Sequence, residues 1–183
     1  MKKHAITLAI GLLLAMNVST VEAQKPYKMG IGATVGSFQG ASFKMFLTDN
    51  LAFQADLGFK FGSYRYEYYR NVYTFSNFWT IEVNPNLVYE GLIKDWNVGG
   101  LHWFAGGGIS FGYSLTNIYI SYLDQGSPSL KFGVNAMGGV EFAFKKIPLT
   151  TQIDFRPGYG LLFGDGSKSL FEYSINAGVR YTF

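Results

Sequence analysis

From Phe171 to Phe183 the chain alternates without a break. Phe171, Tyr173, Ile175, Ala177, Val179, Tyr181 and Phe183 take the odd positions, and Glu172, Ser174, Asn176, Gly178, Arg180 and Thr182 take the even ones. Successive side chains of a strand point to opposite faces, so this stretch reads as an extended chain with one apolar and one polar face. A helix would scatter the same residues around its circumference. The pattern recurs in 28–37, 41–47, 51–62, 78–90, 101–113 and 149–161 with the odd positions apolar, and in 131–144 with the parity reversed. Eight alternating segments predict an all-β chain. Their lengths suit the 9–11 residues that a tilted strand needs to cross a bilayer, the second segment being short.

The first 23 residues follow a different rule. Lys2 and Lys3 precede an almost wholly apolar run from Ala5 to Met16, and the stretch ends in Val21-Glu22-Ala23. That is the pattern of an export leader cut after Ala23, which leaves 24–183 as a single domain. Twelve apolar residues are too few for a spanning helix, which takes about 20, and no later stretch is apolar for long enough. Removing Lys2, Lys3 and Glu22 with the leader takes the formal net charge from +3 to +2, with no basic stripe of the kind nucleic acid requires. Cysteine is absent, which excludes a disulfide scaffold, a thiol nucleophile and cysteine-held metals. Aromatic residues make up 18% and charged residues 15%, the reverse of a disordered composition.

Alternation alone also fits a soluble barrel with its apolar face inside. Three features point to lipid instead. The polar face is rich in glycine, including Gly30, Gly32, Gly58, Gly106, Gly108, Gly139 and Gly160. Glycine weakens a strand, so a narrow lumen short of room for its charged side chains is the expected reason. Aromatic residues gather near strand ends: Trp79, Phe111, Phe132 and Tyr173 toward one rim, Tyr89, Trp103, Phe142 and Tyr181 toward the other. Two such girdles mark the two membrane interfaces. Lipid also forbids open strand edges, which a closed barrel removes. The tight turns 48–50 and 145–148 lie on the side of both termini, and the longer segments 63–77, 114–130 and 162–170, read as loops, lie opposite. Two connections depart from this rule, Ser37–Gly40 being short for an external loop and Gly91–Gly100 long for a periplasmic turn. The fold expected is an eight-stranded antiparallel up-and-down transmembrane β-barrel.

With its leader, its eight strands and its final Tyr181-Thr182-Phe183, the chain resembles the small Gram-negative outer-membrane barrels, the group of the OmpA transmembrane domain and OmpX. The resemblance implies outer-membrane localisation with both termini periplasmic, a monomer, and contact with outer-membrane lipid and lipopolysaccharide. It also implies that Val179, Tyr181 and Phe183 form part of the signal read by the barrel-assembly machinery. The peptidoglycan-binding domain of OmpA-type chains has no counterpart before the sequence ends at Phe183, so that tethering role is not carried over.

Inward parity collects Lys28, Lys44, Lys60, Arg156 and Arg180 with Asp56, Glu82, Glu90, Glu141, Asp154 and Glu172. Near balance in a narrow space predicts a network of ion pairs that plugs the lumen, since an unpaired buried charge costs several kcal/mol. A gated path for protons or small ions is the alternative. Outside the barrel, Ser63–Asn77 is rich in tyrosine and arginine: Tyr64, Arg65, Tyr66, Tyr68, Tyr69, Arg70 and Tyr73 form a candidate binding surface for an extracellular protein or glycan. The same residues suit an aromatic belt at the level of the lipopolysaccharide. Residues 59–69 and 72–83 also fit one long hairpin turning near Arg70-Asn71. No catalytic, metal or cofactor site is expected. His102 is the only histidine after the leader, and Gly106-Gly107-Gly108 lacks the lysine of a phosphate loop. Three functions follow: a structural or surface-binding barrel, a narrow pore, and a lipid-modifying enzyme, of which the first is the reading adopted.

Overall fold

A computed structural model describes the backbone of residues 27–69, 72–120, 123–163 and 168–183, and their side chains except those of 62–69, 72–78, 115–120, 123–127, 168 and 170. The expected leader, 1–23, lies outside the described residues. Every alternating segment forms a strand: β1 (Met29–Gly36), β2 (Phe38–Phe46), β3 (Leu51–Tyr69), β4 (Val72–Trp96), β5 (Gly99–Ile120), β6 (Leu123–Phe144), β7 (Leu149–Phe163) and β8 (Lys168–Thr182). Each pairs antiparallel with the next, and β8 returns to β1 from Gly30↔Thr182 to Gly36↔Asn176, which closes the barrel. The Phe183 carbonyl accepts the amide hydrogens of Lys28 and Met29 at 3.2 and 2.9 Å and finishes the seam.

The two faces are inverted relative to a soluble protein. Ile175 and Val179 are 58% and 50% exposed, while Asn176 and Arg180, the residues that follow each of them, are 2% and 1% exposed. Outward rings meet in two bands. Phe111 and Phe132 (5.1 Å between centroids) and Phe59 and Trp79 (6.5 Å) lie toward one end. Tyr89 and Trp103 (5.9 Å), Phe142 and Phe144 (4.8 Å), and Tyr181 and Phe183 (6.4 Å) lie toward the end holding the termini. From Trp79 to Tyr89 the strand β4 covers about 33 Å, which at a tilt of about 45° gives about 23 Å of height. That matches the roughly 25 Å apolar band of membrane barrels.

The connections differ from the sequence reading at several points. Gly91–Gly100 is not a long turn: β4 runs to Trp96, β5 starts at Gly99, and only Asn97 and Val98 lie between them. A register shift between Leu92 and Lys94 breaks the alternation there, which hid the strand. The segments read as loops at 63–77 and 114–130 are mostly strand, since β3–β4 pair out to Tyr69↔Val72 and β5–β6 to Ile120↔Leu123. The long ladder expected between 59–69 and 72–83 is therefore present. Likewise 162–170 is strand up to Phe163 and from Lys168. On the opposite flank Ser37 alone joins β1 to β2, made possible by Gly36 at φ +142°, a conformation that side chains resist.

The glycines have a different purpose from the one expected at several sites. A Cβ on Gly32 would lie 1.9 Å from the Val179 carbonyl oxygen, and one on Gly106 2.0 Å from that of Leu87. These residues let neighbouring backbones approach in a tightly curved wall rather than clearing the lumen. At Gly160 the nearest atom is Cε of Lys131 at 3.4 Å, and there the expected room for a charged side chain is found.

Candidate functional site

Inward-facing residues form three charged tiers. Nearest the termini, Lys44 on β2 reaches Glu90 on β4 (2.6 Å) and Glu141 on β6 (2.8 Å), and Arg180 on β8 reaches Glu141 (3.1 Å). Tyr27, just before β1, donates its hydroxyl hydrogen to Glu141 and packs edge-to-face on Phe46 at 5.3 Å. Burial, with Glu141 and Glu90 close by, pushes the Tyr27 phenol well above its ordinary value, which keeps it a donor. Beside this tier sits a small apolar layer of Ala52, Val88, Phe104 and Met137, with the Lys44 ammonium 5.3 Å from the Phe104 ring centre.

The middle tier is built on Arg156 of β7. Its Nε and Nη2 donate to the two oxygens of Asp154 (2.5 and 3.0 Å), and its Nη1 donates to Asp56 across the lumen (2.6 Å). One guanidinium thus serves two carboxylates. Amide donors add to these bonds: Asn176 and Gln152 to Asp154 (3.0 and 2.6 Å), and Gln54 to the same Asp56 oxygen that Arg156 holds (3.1 Å). Toward the outer mouth, Lys60 meets Glu172 at 2.7 Å, and Lys131 joins Glu172 and Glu82, the latter at 2.6 Å. Between the outer and middle tiers lies a small open-sided recess, bordered by Phe38, Asn84, Ser110, Asn135 and Ser174 among the charged groups. Phe38 is buried, and its amide hydrogen bonds Asn176 Oδ1 at 2.9 Å.

Ten of the eleven sequence-selected charges are buried or nearly so and enter these tiers: Lys44, Asp56, Lys60, Glu82, Glu90, Glu141, Asp154, Arg156, Glu172 and Arg180. Lys28 is a correction. It is exposed at the rim, one residue before β1, where parity no longer implies a lumen. Lys131 takes its place. It precedes Phe132 in the one segment of reversed parity, so its odd number carried the signal for an inward position. Partners also differ from simple proximity in sequence: Lys60 pairs with Glu172, and Asp56 on its own strand pairs with Arg156. His102 is buried on β5, in register with Glu141. Among the described residues no group of three or more His, Cys, Asp or Glu is placed to hold a metal ion.

Outside, Val179, Tyr181 and Phe183 are all exposed on the outward face at the end of the chain. Of the candidate binding segment, Tyr64, Arg65, Tyr66, Tyr68 and Tyr69 lie on β3 and Tyr73 on β4 by backbone register. Their side chains, and Arg70 altogether, lie outside the described residues.

No family model matches this sequence, and no curated protein is similar to it. Two solved structures are similar to this chain over most of its length. The crystal structure of Neisserial surface protein A (NspA) superposes with a TM-score of 0.53 at 16% identity, over 85% of this chain and 93% of that one. The N-terminal β-barrel domain of Pseudomonas aeruginosa OprF gives 0.49 at 14% identity, over 85% and 95%. The fold is that of a small outer-membrane β-barrel. The likeness to NspA extends along nearly its whole length, so the closed eight-stranded wall and its order of strands are shared, while at this identity side chains are not.

Proposed function

We propose that this chain is an integral outer-membrane barrel with both termini periplasmic, closed along its lumen by its ion pairs. It acts without catalysis, through the sheet that β3–β6 raise beyond the membrane. The observation that carries the reading is the inversion of faces: large apolar side chains exposed around a closed wall, with the charged ones buried inside it. In water such a surface would aggregate, whereas in lipid it is the stable arrangement. The three tiers support a closed lumen, since each buried charge in them has an opposite charge within 3.1 Å. The surface role is supported by the uneven outer rim. β1 and β2 stop at Gly36 and Phe38, whereas β3–β6 continue well past the outer aromatic band.

Trypsin added to intact cells tests this reading. Arg65 lies on the projecting part of β3, so cleavage there is expected, with the barrel portion resistant until the membrane is opened. Cleavage only after the membrane is opened would reverse the orientation. Recovery of the intact chain in a soluble fraction would remove the membrane assignment.

A further inference from the structure

We propose that the projecting sheet binds a second copy of this chain, edge to edge through β3, and so joins two facing membranes. This rests on the reading of that sheet as the interaction surface and names its partner. The first ladder pair of β2 with β3 is Phe38↔Lys60, so among the described residues no strand covers that side of β3 from Phe61 to Tyr69. β4 occupies the other side, out to Tyr69↔Val72. The sheet has a second edge on β6, beyond the last ladder pair with β7, Leu130↔Phe163. The two edges are not alike. Residues 123–129 read LDQGSPS, where Gly126 weakens a strand and Pro128 blocks pairing. Residues 63–69 read SYRYEYY, with neither glycine nor proline and with tyrosine, a good strand former, at four positions.

That segment is complementary to itself when laid antiparallel. With Tyr66 on the two-fold axis, Arg65 stands opposite Glu67 of the second copy, Glu67 opposite its Arg65, and Tyr64 opposite Tyr68. Opposite charges placed directly across a ladder stabilise it and like charges destabilise it. Moving the axis to Arg65 sets arginine against arginine, and moving it to Glu67 sets glutamate against glutamate. One register is therefore favoured. The β3–β4 ladder is regular through Glu67 and shifts only between Glu67 and Tyr69, so the central pairs fall on regular strand.

The geometry also fixes where the partner must be. β3 leads out of the membrane, and an antiparallel copy runs in the opposite direction, so its barrel lies in a membrane facing the first. From Phe61, the last described outward aromatic residue of β3, to Tyr66 is five residues, about 17 Å of strand. The contact therefore forms only where two membranes come close. Within its own membrane each barrel stays a monomer.

Vesicles carrying the full chain test the proposal by light scattering, with each variant shown to be folded by its heat-dependent gel mobility. Wild-type vesicles should tether. Arg65→Glu places glutamate against glutamate and Glu67→Arg places arginine against arginine, and each should lower tethering about tenfold. Mixing the two kinds of vesicle restores both opposite-charge pairs, as does the double variant, and both should tether like the wild type. Because the chain lacks cysteine, Tyr66→Cys adds a single thiol on the axis and should form a disulfide between vesicles under mild oxidation, whereas Tyr64→Cys alone should not. Wild-type vesicles that fail to tether, single variants that tether normally, or a mixture that is not rescued would each overturn the proposal. The broader reading of the sheet as an interaction surface falls only if removing residues 64–76 also leaves attachment of cells to other surfaces unchanged.

Discussion

Asn176 donates to Asp154 and Ser174 and accepts from the Phe38 amide, so a residue that alternation marks only as polar and inward links the middle tier to the outer mouth. Its neighbour Ile175 faces the other way and has no such partners. Ile175→Arg should cost about 2–4 kcal/mol, the penalty for a charge at mid-bilayer on a barrel exterior. Urea titration in lipid vesicles measures it, and an unchanged midpoint would mean that this face does not meet lipid. Arg156→Ala strands Asp56 and Asp154, and removal of one partner from a buried pair typically costs about 3–5 kcal/mol. Replacing Asp56 and Asp154 by asparagine in that variant removes the stranded charges and should recover part of the loss in the same titration, whereas no recovery would show that stranded charges are not its cause. At this scale the sequence disclosed which way a side chain points but not whom it meets. Parity is a local property. The pairing of Lys60 with Glu172 and of Asp56 with Arg156 depends on how far each strand is slid against strands distant in the chain.

Strand boundaries were legible where lipid lies on one side and the packed lumen on the other. Beyond the outer aromatic band the tyrosines of β3 fall at even positions, 64, 66 and 68, whereas the wall below carries its apolar side chains at odd ones, and this change of parity makes SYRYEYYRNVYTFSN read as a loop although the backbone continues as a ladder. The bulge between Leu92 and Lys94 hid the end of β4 for a related reason, because one extra residue reverses parity. The projecting part and the wall should then be separable. Deleting 64–76 and joining Ser63 to Asn77, which are ladder partners, through an Asn-Gly turn should leave a folded, heat-modifiable barrel. A variant that does not fold would make the projecting hairpin part of the folding core. The seam is not separable in this way. The Phe183 carbonyl accepts two amide hydrogens from the start of the chain, and its ring is exposed to the membrane. Deleting Phe183 should lower the amount of folded barrel in the outer membrane, measured by the heat-shifted band of washed membranes, and an unchanged band would contradict the role given to the last three outward residues.

The whole molecule is a wall that turns apolar side chains outward around an interior whose charges pair with one another. An eight-stranded barrel is only wide enough for side chains to fill. Among the described residues they do so with five buried cations, Lys44, Lys60, Lys131, Arg156 and Arg180, against six buried or nearly buried carboxylates, bridged by amides and sealed toward the termini by Tyr27 and an apolar layer. Recording current across a planar bilayer, with insertion verified by heat-modifiable mobility of the recovered protein, tests that closure most directly. The wild type should give no large steady conductance, with at most brief small events that become more frequent in Arg156→Ala. A large, steady, ion-selective current from the wild type would contradict the closed interior and make the barrel a pore.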